Sequence, residues 1–339
     1  MNADMNKPAP SPESAPQSSP ESAPQSSPES APQSSPESAP DPALHPPLAR
    51  YAGAEPPAPQ WFRGAVDAPH ERNVTEVEGA KIEWLAWGQR GKPGLLLLHG
   101  NGAHADWWRF IAPFFAATHR VVAPSWSGMG GSDHRPSYSI RLFIREMLAI
   151  ADAGGLSDAG PFTVVGHSFG GFPMMALANW QGKQLSQAII VDTPFDPEQR
   201  RRPRGAGGDA RAHRIYPTMA DALARFRWAP PQPTTHDFIA DFIARRSITE
   251  TEGGFTWKFD PFLWSEFEAQ DDIDLLKAPQ CPVALMWGEK SELVHEGLVA
   301  DMAARMPPGS KLVPIPQAYH HVMADQPLAL VAGLRGLLA

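Results

Sequence analysis

Six short apolar runs, most of them separated by stretches of helical spacing, constrain this 339-residue chain more than any other feature. They are Gly94 to His99, Arg120 to Ala123, Phe162 to Val165, Gln187 to Val191, Val283 to Trp287 and Lys311 to Ile315. An apolar run without polar alternation suits a strand buried on both faces. Between the runs, Trp108 to Ala117, Ile140 to Ala153, Gly170 to Trp180, Leu298 to Met306 and, after the last, Leu328 to Leu338 carry apolar residues at helical intervals. Strand alternating with helix predicts an α/β fold, with a mostly parallel central sheet and helices on both faces. Ahead of the first run, Asn73 to Val77 and Lys81 to Trp87 read as a hairpin joined at Glu78-Gly79.

The alternation breaks off once. Between Thr193 and Lys277 there is no buried-strand run, only Arg-, Pro- and aromatic-rich sequence with amphipathic pieces at Met219 to Phe226 and Asp237 to Arg246. Residues 195–276 are therefore expected to form a helical lid inserted into a core made of 61–194 and 277–339. The first 60 residues form a different kind of segment, holding 16 of the 38 prolines and an SPESAPQS octapeptide repeated from Ser11 to Pro40. With no large apolar side chain per repeat, residues 1–60 are expected to be a disordered tail.

Charge and cysteine content exclude several classes. The chain carries a net −8, of which the tail's seven acids and two bases account for −5, leaving the body near neutral. Nucleic acid is thereby disfavoured as a partner, since phosphate neutralisation needs a basic surface. The single cysteine, Cys281, can form neither an intramolecular disulfide nor a multi-cysteine metal site, and is read as a buried structural thiol. No secretory leader or membrane-length apolar stretch stands out, so a cytoplasmic location without membrane association is expected. The run Arg200 to Arg204 is read as a solvated edge of the lid.

The chemistry is carried by Gly166-His167-Ser168-Phe169-Gly170, a G-x-S-x-G placed directly after an apolar strand and directly before a helix. At such a turn the serine is thrust out of the sheet end, and the small flanking residues let neighbouring elements approach. A serine hydroxyl needs a base. His320, between the last strand and the last helix, is the candidate, with His321 the neighbouring alternative; His99, His104 and His167 are read as structural. The base needs a carboxylate, for which Glu292 in WGEKSELV is preferred, with Asp192 at the end of the strand before the lid as the alternative and Glu289 a third choice. Two main-chain N–H groups, of Phe169 and of Asn101 in the loop His99 to Gly102, stand where an oxyanion would form. Trp107, Trp108 and Trp126 are candidates to line the pocket or to pack the core.

Residues from about 73 to 339 resemble the α/β-hydrolase superfamily in its lidded, esterase-like branch. The resemblance rests on LLLLHGNGAHADWW, HRVVAPSWSGMGGSD, VVGHSFGG, WGEKSELV and HHVMADQP, in that order. It implies that a histidine five residues before an acid and seven before a proline is the base, matching His320, Asp325 and Pro327. It also implies that the acid of a G-x-x-S-[DE] turn completes the triad, which points to Glu292. The lid stretch GGFTWKFDP is similar to a segment of esterase-like members. Ser125 departs from the family, which usually has an aspartate there. HGN with GMGGSD is also similar to haloalkane dehalogenases, whose nucleophile is an aspartate. Ser168 argues against that chemistry and against epoxide opening, because a serine alkyl ether has no acyl carbon for water to attack.

The expected function is hydrolysis of a small-molecule carboxylic ester through an acyl-enzyme, with no metal and no organic cofactor. Hydrolysis of a carbon–carbon bond in a diketone on the same residues is the alternative. A non-catalytic ligand-binding protein on the same scaffold is a third reading.

Overall fold

The apolar runs become neighbouring strands of one sheet in the computed structural model, which describes residues 45–195, 211–268 and 275–339. The octapeptide repeats and the Arg200 to Arg204 run lie outside the described residues. The strands are β1 (Glu71–Val77), β2 (Ala80–Trp87), β3 (Gly94–Leu98), β4 (Arg120–Pro124), β5 (Phe162–His167), β6 (Leu185–Val191), β9 (Val283–Gly288) and β10 (Lys311–Ile315). Two short strands, β7 (Ile248–Thr251) and β8 (Gly254–Trp257), lie apart from them. The eight-stranded sheet has the order β1-β2-β4-β3-β5-β6-β9-β10, and β2 alone runs opposite to the other seven strands.

Burial explains the pattern. Leu95 and Leu97 of β3 point into one core while Leu96 and Leu98 point into another on the opposite face, and all four are fully buried. One core is closed by α2 (Ile140–Ala153), α3 (Gly171–Gln181) and α6 (Glu296–Arg305), and the other takes α1 (Gln60–Val66) and α8 (Pro327–Leu338). Ser139 caps α2 by accepting from the Leu142 N–H at 3.1 Å, which fixes where that helix begins. Cys281 is buried, and burial pushes its thiol up to about 11, so it is an inert packing group.

Three expectations need correction. The stretch Trp108 to Ala117 is not a helix but two 3₁₀ turns, Ala105–Trp108 and Ala112–Phe114. Pro113 lacks an N–H, and its ring would collide with a preceding carbonyl in a continuous helix. The insertion is not all helical: besides α4 (Met219–Leu223) and α5 (Asp237–Ser247) it contains the β7–β8 hairpin. Its two-residue turn, Glu252-Gly253, has φ +86° at the glycine, a conformation glycine adopts without a steric penalty. Ordered packing also begins before residue 61. Leu48 is 2% exposed, and the Tyr51 hydroxyl donates to Asp237 at 2.7 Å. These are the buriable side chains that the octapeptide lacks.

The sheet order also locates a crevice. The chain leaves β3 toward β4 on one side and later enters β5 on the other, so connections diverge at the carboxyl ends of β3 and β5. Such a point is where an open α/β sheet leaves room for a ligand.

Candidate active site

Ser168 begins a single 3₁₀ turn between β5 and α3 and has φ +50°, a left-handed conformation strained for serine and the one the G-x-S-x-G motif leads one to expect. Glycine is needed around it. A Cβ on Gly166 would come within 2.7 Å of the Gly170 carbonyl, and one on Gly170 within 2.7 Å of the His99 carbonyl. The Thr193 hydroxyl donates to the Ser168 carbonyl at 2.9 Å and so ties the elbow to the end of β6.

The Ser168 Oγ lies 2.9 Å from His320 Nε2, and His320 Nδ1 lies 2.7 Å from Asp192 Oδ1. A carboxylate accepts only, so Nδ1 carries the hydrogen and the Nε2 lone pair faces the serine. Asp192 has φ +46°, directly after β6. Its buried carboxylate also accepts from the Gly288 N–H at 2.8 Å and from the Ser291 hydroxyl at 2.7 Å.

The carboxylate that meets His320 is thus that of Asp192, the alternative, and not that of the preferred Glu292. Glu292 is exposed, while the other members of its turn, Gly288 and Ser291, grip Asp192. Because β6 pairs with β9 in parallel, with Val191 opposite Met286, the end of β6 comes up beside the turn after β9. Glu289 is exposed as well. The ring that meets the serine is that of His320, while the His321 ring centroid lies 5.4 Å from that of Trp107 and 5.0 Å from that of Trp228.

The two proposed N–H donors flank the serine. Phe169 follows it directly, and Asn101 lies in the loop after β3, where a Cβ on Gly100 would approach Ser168 Cβ to 3.0 Å. Of the three tryptophans, Trp107 packs beside the His320-His321 segment, whereas Trp108 and Trp126 are fully buried core residues. The Trp126 indole N–H donates to the His99 carbonyl at 3.1 Å.

Ser125 is compensated from another strand. The Glu83 carboxylate of β2 accepts from the Ser125 hydroxyl at 3.1 Å and from the Gly131 N–H at 3.0 Å. The Ser125 Oγ in turn accepts from the Ala105 N–H at 3.0 Å. Sequence reasoning also missed Gln232, whose side-chain NH₂ donates to both oxygens of Asp325 at 3.0 and 2.9 Å while its Oε1 accepts from the His321 N–H at 2.9 Å. Asp325 further accepts from the Tyr319 N–H at 2.9 Å, so the segment bearing His320 is clamped from both sides.

Burial holds His99 and His167 down at about 3 and His104 at about 4, against an ordinary 6.5. His99 shows why: its Nδ1–H donates to the Gly100 carbonyl at 2.8 Å and its Nε2 accepts from the Trp126 N–H at 3.1 Å, an arrangement an imidazolium cannot make. A base whose folded-state value is depressed contributes stability that is complete above the unfolded value and is lost as pH falls through the folded one. Denaturant unfolding is therefore expected to show stability falling from about pH 6.5 toward pH 3, each histidine adding up to ~1.4 kcal/mol per pH unit.

The model for the alpha/beta hydrolase family matches residues 95–334. Human epoxide hydrolase 4 is 31% identical over 119 residues, covering 34% of this chain and 32% of that one, so the match spans about a third of that relative. Esterase Rv0045c of Mycobacterium tuberculosis is 25% identical over 274 residues, 78% of this chain and 89% of that one. Among solved structures, the thioesterase domain from the curacin biosynthetic pathway aligns with a TM-score of 0.67 at 24% identity, over 79% of this chain and 100% of that one. A structure of Rv0045c, described together with its inhibition by transition metals, aligns with a TM-score of 0.60 at 21% identity, over 86% and 96% of the two chains. At these identities the structural likeness is one of fold. Among the described residues no helix is long and apolar enough to cross a membrane.

Proposed function

From the premise that this chain belongs to the alpha/beta hydrolase family, we propose that it is a serine hydrolase cleaving a carboxylic ester through an acyl-enzyme. The reading is carried by one observation, the hydrogen-bonded chain from Ser168 Oγ through His320 to Asp192. Ser168 attacks the acyl carbon as His320 Nε2 takes its proton, and Asp192 stabilises the imidazolium that forms. The N–H groups of Phe169 and Asn101 receive the developing oxyanion. Collapse expels the alkoxide, which takes the proton back from His320. A water activated by the same nitrogen then releases the carboxylate. The insertion carrying Trp228 and Gln232 serves as the lid over this chemistry.

Serine favours ester cleavage over the epoxide opening named for some relatives, for the reason given above: an alkyl group on Ser168 could not be released by water. The aromatic surroundings of Phe169, with the rings of Trp264 at 5.5 Å and Phe267 at 6.4 Å, favour an apolar acyl group. A fluorophosphonate probe is expected to label the protein on the peptide containing Ser168, and p-nitrophenyl esters to release p-nitrophenol with an initial burst. Labelling elsewhere, or none, would overturn the assignment. Turnover of a diketone into a carboxylate and a ketone, without ester cleavage, would move it to carbon–carbon hydrolysis.

A further inference from the structure

Three histidine side chains meet beside the serine from two segments of chain. His167 precedes Ser168, and His320 and His321 follow β10. All three are buried, and one ring nitrogen of each lies within 4.8 Å of the others. Their ring centroids are 5.1, 6.0 and 5.0 Å apart for the pairs 167–320, 167–321 and 320–321.

Two of the rings are already turned as a metal site requires. A ligating histidine characteristically donates its other ring N–H to a carboxylate or a main-chain carbonyl. His320 donates from Nδ1 to Asp192, so its Nε2 carries the lone pair and faces the Ser168 hydroxyl. His167 Nε2 lies 2.9 Å from the His320 carbonyl, which can only accept, so the His167 lone pair is on Nδ1. That Nδ1 is shut off from water and has no hydrogen-bond partner, and of the two buried ring nitrogens of His321 one has the Pro230 main-chain carbonyl beside it. A Cβ on Gly100 would come within 3.2 Å of His167 Nδ1 and 3.0 Å of Ser168 Cβ, so this nitrogen and the serine side chain pack against the same glycine. Leaving a buried polar group unpaired costs about 1–3 kcal/mol. Acyl transfer uses none of these three nitrogens.

We propose that His167, His320 and His321 form a binding site for a divalent transition-metal ion, and that its occupancy inhibits the hydrolase by taking up the His320 lone pair that accepts the Ser168 proton. Neutral imidazoles suit Zn²⁺, Ni²⁺ and Cu²⁺ and disfavour Mg²⁺ and Ca²⁺, which seek oxygen ligands. Nitrogens on one tetrahedral zinc stand about 3.4 Å apart, so the rings close on the ion by small side-chain rotations. The inhibitory half of this inference rests on the esterase reading; the binding half does not.

The test uses metal-free protein with any affinity tag removed. Titration with Co²⁺ is expected to give one equivalent of a site with visible d–d absorption, displaced by Zn²⁺ and not by Mg²⁺. Ser168→Ala retains all three rings and should keep the site, whereas His321→Phe, which preserves an aromatic ring between Trp107 and Trp228, should lose it. On a p-nitrophenyl ester, Zn²⁺ should inhibit the native protein reversibly on chelation. His321→Phe should keep the metal-free rate and need about 10-fold or more Zn²⁺ for the same inhibition. Absence of a one-equivalent site, or equal binding by native protein and a folded His321→Phe, overturns the proposal. If His321→Phe does not fold, the Ser168→Ala titration decides: the proposal falls if that variant shows no site. A bound metal with no ester turnover in the metal-free protein would instead sink the esterase reading and leave the site standing.

Discussion

Ser168→Ala is expected to reduce kcat on an activated ester by about 10⁶, the scale seen when a hydrolase loses its nucleophile. No other hydroxyl can replace it by a small adjustment, because the serine is held at φ +50° with its Oγ 2.9 Å from the base. The Phe169 and Asn101 N–H groups remain, so a residue of catalysis over water should survive. Steady-state turnover beside the far-UV spectrum checks this. A folded variant that retains more than about a thousandth of native kcat would place the nucleophile elsewhere.

Asp192→Asn is expected to lower kcat by about 10⁴ with little change in KM. An amide NH₂ facing His320 Nδ1 favours the tautomer with hydrogen on Nε2, which removes the lone pair needed by Ser168 and gives no charge to balance the imidazolium. Glu292→Gln, on the exposed side of the turn, is expected to leave kcat within about twofold, as for a surface substitution. Measured side by side, the two variants separate the candidate acids. Comparable losses in both, or a loss confined to position 292, would require a different geometry during turnover.

That pair marks the boundary of what the sequence disclosed. The inner strands were legible because a strand buried on both faces has to be apolar throughout, as Leu95 to Leu98 are. The meeting of Ser168 and His320 was legible because each stands between a recognisable strand and a helix. The acid was harder. Gly288-Glu289-Lys290-Ser291-Glu292 does mark the turn that serves the carboxylate, yet its contribution is an N–H and a hydroxyl, while the carboxylate comes from the adjacent strand end. Adjacency of β6 and β9, separated by the whole insertion, is a property of sheet order and leaves no local trace in the chain. Gln232 was invisible for the same reason: its hydrogen bonds span about ninety residues. Pro113 and the alternating Ile248 to Trp257 did carry local signals, of a broken helix and a hairpin respectively.

The Glu83 carboxylate that reaches across to Ser125 has a consequence for how this site could be altered. Restoring the aspartate customary at position 125 would set two anions against each other over a single pair of main-chain donors. Positions 83 and 125, forty-two residues apart, thus form one electrostatic unit that can be exchanged together but not singly.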